Sequence, residues 1–259
     1  MNANLYDLLG LFVAVAFILA LKGLSAPKTA RRGNLIGAAG ATLATVMVFA
    51  RPLGKDENGV AYTHHNTLLI IASIAVGVLV GVPAARKIQM TQMPQLVALF
   101  NGVGGGAAAL VAIVEYLNLG TAASKAEVVA TVFTVIVGCT SFSGSVITFL
   151  KLQELMTTRP VVFPGGRFVI AVTLASVLGT GGWTIASGGN TPLLIMGGLS
   201  LLFGILFVLP VGGADVPIVI SLLNAFTGLT VAASGYVLKS TLLIVAGTLV
   251  GASGTILTR

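Results

Sequence analysis

The sequence predicts an all-α membrane protein: a polytopic bundle of nine transmembrane helices, with the N-terminus outside and the C-terminus in the cytoplasm. Three observations carry that prediction. Charged residues make up only 8% of the 259 positions, against about 25% in a soluble domain, and mean hydropathy is +1.04. Nine apolar stretches each approach the roughly 20 residues that a helix needs to cross the hydrocarbon core. The third observation is where the charge lies. Nine crossings put the termini on opposite sides. One set of loops then holds Lys22, Lys28, Arg31, Arg32, Arg86, Lys87, Lys151, Arg159, Arg167 and Arg259; the other holds Arg51, Lys55, Lys125 and Lys239. The richer side is cytoplasmic by the positive-inside rule. That distribution accounts for the net charge of +7 without a nucleic-acid partner. Barrel strands would alternate polar and apolar residues, and these stretches are apolar all round. The loops are too short for a soluble catalytic domain.

The first span, Leu5–Leu21, has Asp7 and no Lys or Arg in its leading region, which is the wrong polarity for a cleaved signal peptide. The second and third, Asn34–Ala50 and Thr67–Ala84, flank a polar loop whose His64 and His65 read as solvated. Pro94 introduces the fourth, Leu96–Leu117, as a residue with no N–H to lose at a helix start. Gly102-Val103-Gly104-Gly105-Gly106 lies inside that helix. It therefore lacks the strand–turn–helix setting of a dinucleotide fingerprint. On its small-residue face, with Ala98, Gly105 and Ala108, sits Asn101.

The fifth span, Val128–Leu150, carries Thr134, Gly138, Ser141, Ser145 and Thr148 at spacings of four, three, four and three. Such a hydroxyl seam reads first as packing, because serine and threonine bond the carbonyl one turn back; it could also hold water. The only cysteine, Cys139, lies mid-span, so neither a disulfide nor a thiolate metal site is expected. Pro164-Gly165-Gly166 precedes the sixth span, Phe168–Ala186. Pro192 and Pro217 open the seventh and eighth, Leu193–Leu209 and Val216–Val237.

The eighth carries Ser221, Asn224, Thr227 and Gly228, read as one helical face. Asp215 lies at its cytoplasmic start, either as an N-cap or as a proton-exchanging group. Asn224 is nine residues on, roughly 13 Å deeper at 1.5 Å per residue. Polar groups at such depth are functional candidates by default. The ninth, Leu242–Leu257, repeats Gly247, Gly251 and Gly254, a close-packing stripe. No span is expected to hold His, Lys or Arg, so a complete titratable relay is missing. The whole chain, 1–259, reads as a single transmembrane domain.

Three segments add a resemblance. Met90-Thr91-Gln92-Met93-Pro94-Gln95-Leu96-Val97-Ala98, Ser141-Phe142-Ser143-Gly144-Ser145-Val146 with Lys151-Leu152, and Gly212-Gly213-Ala214-Asp215-Val216-Pro217 with Ser221-Leu222-Leu223-Asn224 resemble segments of the proton-translocating NAD(P) transhydrogenase beta-subunit family. The resemblance covers essentially the whole chain, in order. It implies the proton-conducting membrane domain of an oxidoreductase and translocase that couples hydride transfer from NADH to NADP⁺ to inward proton movement in a bacterial plasma (inner) membrane. NAD and NADP would bind outside this chain. The NADP domain is expected after Arg259, and an alpha subunit would supply the NAD domain and further transmembrane helices in a dimeric holoenzyme.

By the same resemblance, Asn224 and Asp215 match positions tied to proton transfer and to coupling with the NADP domain. Asn101 stands where many members carry a titratable histidine. Asparagine takes up no proton near neutral pH, so either water or an alpha-subunit group would serve instead. The proton-path set is then Asn224, Asn101, Asp215, Ser221, Thr227, Ser141 and Ser145. Composition alone leaves two alternatives, a stand-alone secondary transporter or channel for a small solute, and a purely structural membrane anchor.

Overall fold

The computed structural model describes residues 3–50 and 67–258. Among them the backbone forms nine α-helices: α1 (Ala3–Leu24), α2 (Pro27–Ala50), α3 (Thr67–Lys87), α4 (Met93–Leu119), α5 (Lys125–Leu152), α6 (Gly166–Ser187), α7 (Asn190–Val208), α8 (Val216–Val237) and α9 (Thr241–Leu257). Six of them, α3 to α8, are long and apolar enough to cross a membrane, while α1 and α9 are shorter apolar helices. The loop histidines His64 and His65, and the charges Arg51, Lys55 and Arg259, lie outside the described residues.

α8 keeps its predicted bounds, whereas α3, α4, α5 and α6 run past theirs because hydrogen-bonding and caps, not hydropathy, end a helix. α5 starts three residues before Val128 at a reciprocal cap. Ser124 Oγ accepts from the Glu127 amide, and Glu127 Oε2 accepts from the Ser124 amide at 2.8 Å. α2 begins at Pro27 and takes in Lys28, Arg31 and Arg32; α3 takes in Arg86 and Lys87.

The chain divides into two compact units, residues 1–88 and 89–259. In the first, α1 and α2 form a tight hairpin. Gly33, Gly37 and Gly40 of α2 meet Gly23, Ala20 and Ala16 of α1 so closely that a Cβ on Gly23 would come 2.7 Å from Gly33 Cα. The second unit is built on α5, which packs against α4, α6, α7 and α8; α9 lies on α8. One apolar cluster joins Ala109, Ala112, Val132, Val135, Leu193 and Met196, and another joins Ile147, Val208, Val219 and Leu223. At one end of this unit the start of α4 meets the end of α5, and the α5–α6 and α7–α8 connections pair through their backbones.

Candidate functional site

α4, α5 and α8 meet along a polar seam in the interior of the second unit. On α4, Ala98, Asn101, Gly105 and Ala108 are all buried, as their spacing predicts. On α5, Thr134, Gly138, Ser141, Ser145 and Thr148 are buried as well. Glycine sets the separation of these helices. A Cβ on Gly102 would lie 3.0 Å from Ser145 Cβ, and one on Gly105 would lie 3.0 Å from Ser141 Cβ and 3.1 Å from the Gly138 carbonyl. The glycine run is thus a helix surface closed by α5, as its apolar setting implies.

That approach brings side chains within bonding reach. Asn101 Nδ2 donates to Ser145 Oγ at 2.9 Å and to Ser141 Oγ at 3.3 Å. Ser141 Oγ lies 2.6 Å from Thr227 Oγ1 of α8 and 3.1 Å from the Leu223 carbonyl. A serine hydroxyl has one donor and two acceptor sites. With Ser141 donating to Leu223, it accepts from both Asn101 and Thr227, and its capacity is full. Asn101 Oδ1 is different: it is buried and bonded to nothing. A buried acceptor without a partner is costly.

The hydroxyl seam continues past this cluster. Two turns towards the start of α5 from Ser141, Thr134 Oγ1 is buried without a partner, as is Ser234 Oγ on the Thr227 face of α8. Thr148 bonds back to the Gly144 carbonyl at 2.8 Å, so the seam mixes packing with open polar capacity. Ser234 was readable as the residue seven beyond Thr227, two turns along one face. Tyr116, also buried with an unbonded hydroxyl, carries no such signal, because it sits among the apolar residues of the α4–α5–α7 cluster.

The α8 stripe does not stay on one face, and here the sequence reading is corrected. Ser221 Oγ donates to the Gly254 carbonyl of α9 at 3.2 Å, whereas Thr227 turns to α5. A spacing of three residues falls 60° short of a turn, so Ser221, Asn224 and Thr227 wind about 120° around the helix. Asn224, midway, is half-buried and outside the Ser141 network. Gly228 joins Ser221 on the α9 side, where a Cβ would come 2.5 Å from the Gly251 amide nitrogen. Gly247 faces Gly228 and Ala232, and a Cβ on Gly254 would lie 2.8 Å from Ala225 Cβ.

Asp215 ends a 3-10 turn, Gly213–Asp215, and occupies the N-cap position of α8. It is exposed and its side chain makes no capping bond, so the capping alternative fails.

A second correction concerns the basic residues. Lys151, counted above as a loop charge, lies in the last turn of α5 and is fully buried. The expectation that no spanning helix holds a lysine therefore does not stand. Hydropathy misses it because a long apolar stem lets lysine share a helix with apolar neighbours.

A family model described as NAD(P) transhydrogenase beta subunit matches residues 6–259. Two curated proteins of Rhodospirillum rubrum, one of them from a named strain, both called NAD(P) transhydrogenase subunit beta, are each 38% identical to this chain over 250 residues. The match takes in 94% of this chain and 52% of each relative. The chain thus spans about half the length of the curated relatives it matches.

Proposed function

The chain belongs to the NAD(P) transhydrogenase beta-subunit family, and from that premise we propose that it is the proton-conducting membrane domain of a transhydrogenase that couples hydride transfer from NADH to NADP⁺ to inward proton translocation. In this reading all nine helices cross a bacterial inner membrane, with the N-terminus outside. Both nucleotides bind outside residues 1–259: NADP on a soluble domain of the same subunit, NAD on an alpha subunit that also adds helices to a dimeric holoenzyme.

The observation that carries the reading is the Asn101–Ser141–Thr227 cluster with its one unbonded acceptor. For a proton to pass, the Ser141 hydroxyl turns from the Leu223 carbonyl to Thr227 Oγ1, 2.6 Å away. Ser141 Oγ then takes a proton from a hydronium, its own proton passes to Thr227 Oγ1, and Thr227 releases its own to a water beyond, so that charge balances and both hydroxyls are restored. Asn101 holds no proton itself. It orients the Ser141 and Ser145 hydroxyls through Nδ2 and offers Oδ1 to a water. Asn224, deeper on α8 than Asp215, lies along the same route, and Asp215 exchanges protons and meets the NADP domain at the cytoplasmic mouth.

The test uses full-length beta subunit with its alpha partner in sealed vesicles, with hydride transfer and vesicle pH recorded together. The wild-type complex should move protons in step with hydride transfer. Asn224→Leu should reduce coupled pumping at least about tenfold, or about 1.4 kcal/mol on the barrier, while nucleotide binding survives. Leu222→Ile is the mild control. A wild-type complex that transfers hydride with no pH change would end the reading. Normal pumping by an assembled Asn224→Leu complex would remove Asn224 from the path.

A further inference from the structure

Among the described residues Lys151 is the one charged side chain that is buried, and nothing in the proton path above uses it. Its partners are backbone carbonyls. Nζ donates to the Leu209 oxygen at 2.6 Å, the Val211 oxygen at 2.7 Å and the Val208 oxygen at 3.3 Å. An ammonium has three N–H groups and no acceptor, so three carbonyls complete it. Those carbonyls belong to the C-terminus of α7 and the connection to α8. A helix C-terminus leaves its last carbonyls unbonded and carries partial negative charge that favours a cation. Lysine from another helix supplies here what a local cap would otherwise provide.

The clasp sits inside a wider knot. The Val161 amide donates to the same Leu209 oxygen at 3.0 Å, and the Gly213 amide donates to the Thr158 oxygen at 2.9 Å. The α5–α6 and α7–α8 connections are thereby laced together around Nζ. From the other side, Gln95 Nε2 of α4 donates to the Leu152 oxygen at 3.1 Å. Asp215 follows four residues after Val211, and α8 starts at Val216.

We infer that Lys151 is a positioning residue whose ammonium holds the α7–α8 connection to the end of α5, and so fixes where Asp215 and α8 begin relative to Ser141 and Ser145. Its functional consequence rests on the proton-path reading. The clasp itself is geometric. α5 carries one half of the hydroxyl relay and α8 the other, and Nζ ties the end of α5 to the connection that leads into α8. Releasing it lets the mouth at Asp215 shift without carrying the seam along.

The test combines three full-length variants in the assembled complex. Lys151→Met keeps the length and removes the donors; Lys151→Arg keeps the charge and donors. Thr158→Cys with Gly213→Cys, in a Cys139→Ala background, replaces the clasp covalently. A Cβ on Gly213 lies 3.4 Å from Thr158 Cβ, close to the roughly 3.5–4.5 Å that disulfides use. Lys151→Met should lower protons moved per hydride transferred at least about fivefold, the low end of ordinary coupling effects, with the nucleotide KM values unchanged. Lys151→Arg should stay near wild type. Oxidising the cysteine pair in Lys151→Met should restore the ratio, and reduction should abolish it again.

In the same background the pair should oxidise more slowly with methionine at 151, a readout that needs no activity. If Lys151→Met does not assemble, Lys151→Leu, which likewise has no donor, is read instead. An unchanged ratio in either variant overturns the inference. So does a disulfide that forms fully and leaves Lys151→Met uncoupled, since lysine would then matter for its charge and not for its hold. A wild-type complex that moves no protons defeats the proton-path reading before any variant is compared, and the oxidation rates still judge the clasp.

Discussion

Adjacent residues on α8, Thr227 and Gly228, look onto two interfaces built from the same small side chains for opposite ends. Gly228 faces α9, where Gly247, Gly251, Gly254 and Ala225 bring backbone against backbone. Ser221 there spends its hydroxyl on the Gly254 carbonyl. Thr227 faces α5 and α4, where Gly102, Gly105 and Gly138 bring the helices nearly as close but the space holds an amide and three hydroxyls. Lipid tails are as apolar as leucine, so close approach supplies van der Waals contact that burial cannot. The α9 face uses the approach for backbone contact, with the Ser221 bond as a polar tie. The α4–α5 face uses it to set polar atoms at hydrogen-bonding distance, and it leaves Asn101 Oδ1 open. A small-residue stripe therefore says how near two helices come; the residues one position away say what that nearness is for.

The largest effect should come from filling the dry face. Gly228→Leu sets a side chain where even a Cβ is 2.5 Å from the Gly251 nitrogen and 2.9 Å from the Gly247 oxygen, and backbone cannot step aside as a side-chain tip can. Overpacking of this kind costs about 1–3 kcal/mol or more. The yield of folded chain and its unfolding midpoint in detergent should drop sharply. In whatever fraction assembles, protons moved per hydride should match wild type. A surviving fraction that is stable but uncoupled would show that the α9 face takes part in the path.

Next comes the polar face. Ser141→Ala deletes the hydroxyl that joins Asn101, Thr227 and the Leu223 carbonyl. Stability should change little, because hydrogen bonds between membrane helices average only about 0.6 kcal/mol by double-mutant cycles and Asn101 keeps Ser145. Pumping should fall at least about tenfold, or about 1.4 kcal/mol. The two substitutions thus reverse each other's pattern across stability and transport, and a detergent melt beside a vesicle pH trace separates them. Equal losses in both measurements for both variants would merge the faces into one.

Much of this contrast was legible in the sequence, and the parts that were not share a cause. Apolar runs marked the helices, and the spacing of Thr134, Gly138, Ser141, Ser145 and Thr148 marked the buried side of α5. Asn101 with Ala98, Gly105 and Ala108 marked the matching side of α4. These are facts about one helix, and a period of 3.6 residues reveals them. Which neighbour each face meets is a fact about two helices. Ser221 and Thr227, read as one stripe, divide between α9 and α5 because spacing by three drifts around the cylinder. Lys151 read as a loop charge because its acceptors, the carbonyls of Val208, Leu209 and Val211, stand 57 to 60 residues away and leave no trace in side-chain pattern. The helix ends were misplaced for a related reason. Hydropathy sees the lipid boundary, while Ser124 and Glu127 set the start of α5 by capping it.

The finest probe of the contrast is Thr227, whose hydroxyl and methyl point to different partners. Its Oγ1 meets Ser141, and its Cγ2 is the atom nearest to a Cβ built on Gly104, at 3.6 Å. Valine keeps both branches in shape and loses the hydroxyl. Serine keeps the hydroxyl and loses the methyl. If the α4–α5–α8 seam acts through hydrogen bonds, Thr227→Val should slow pumping by about fivefold, since a typical net hydrogen bond is worth about 1 kcal/mol, and Thr227→Ser should stay within about twofold on the same scale. Leu223 still accepts from Ser141 in both variants, so neither should unfold the bundle. The opposite order, with serine the slower variant, would mean that the methyl's packing on α4 governs the seam. The α4–α5 face would then be as dry in function as the α9 face is in structure.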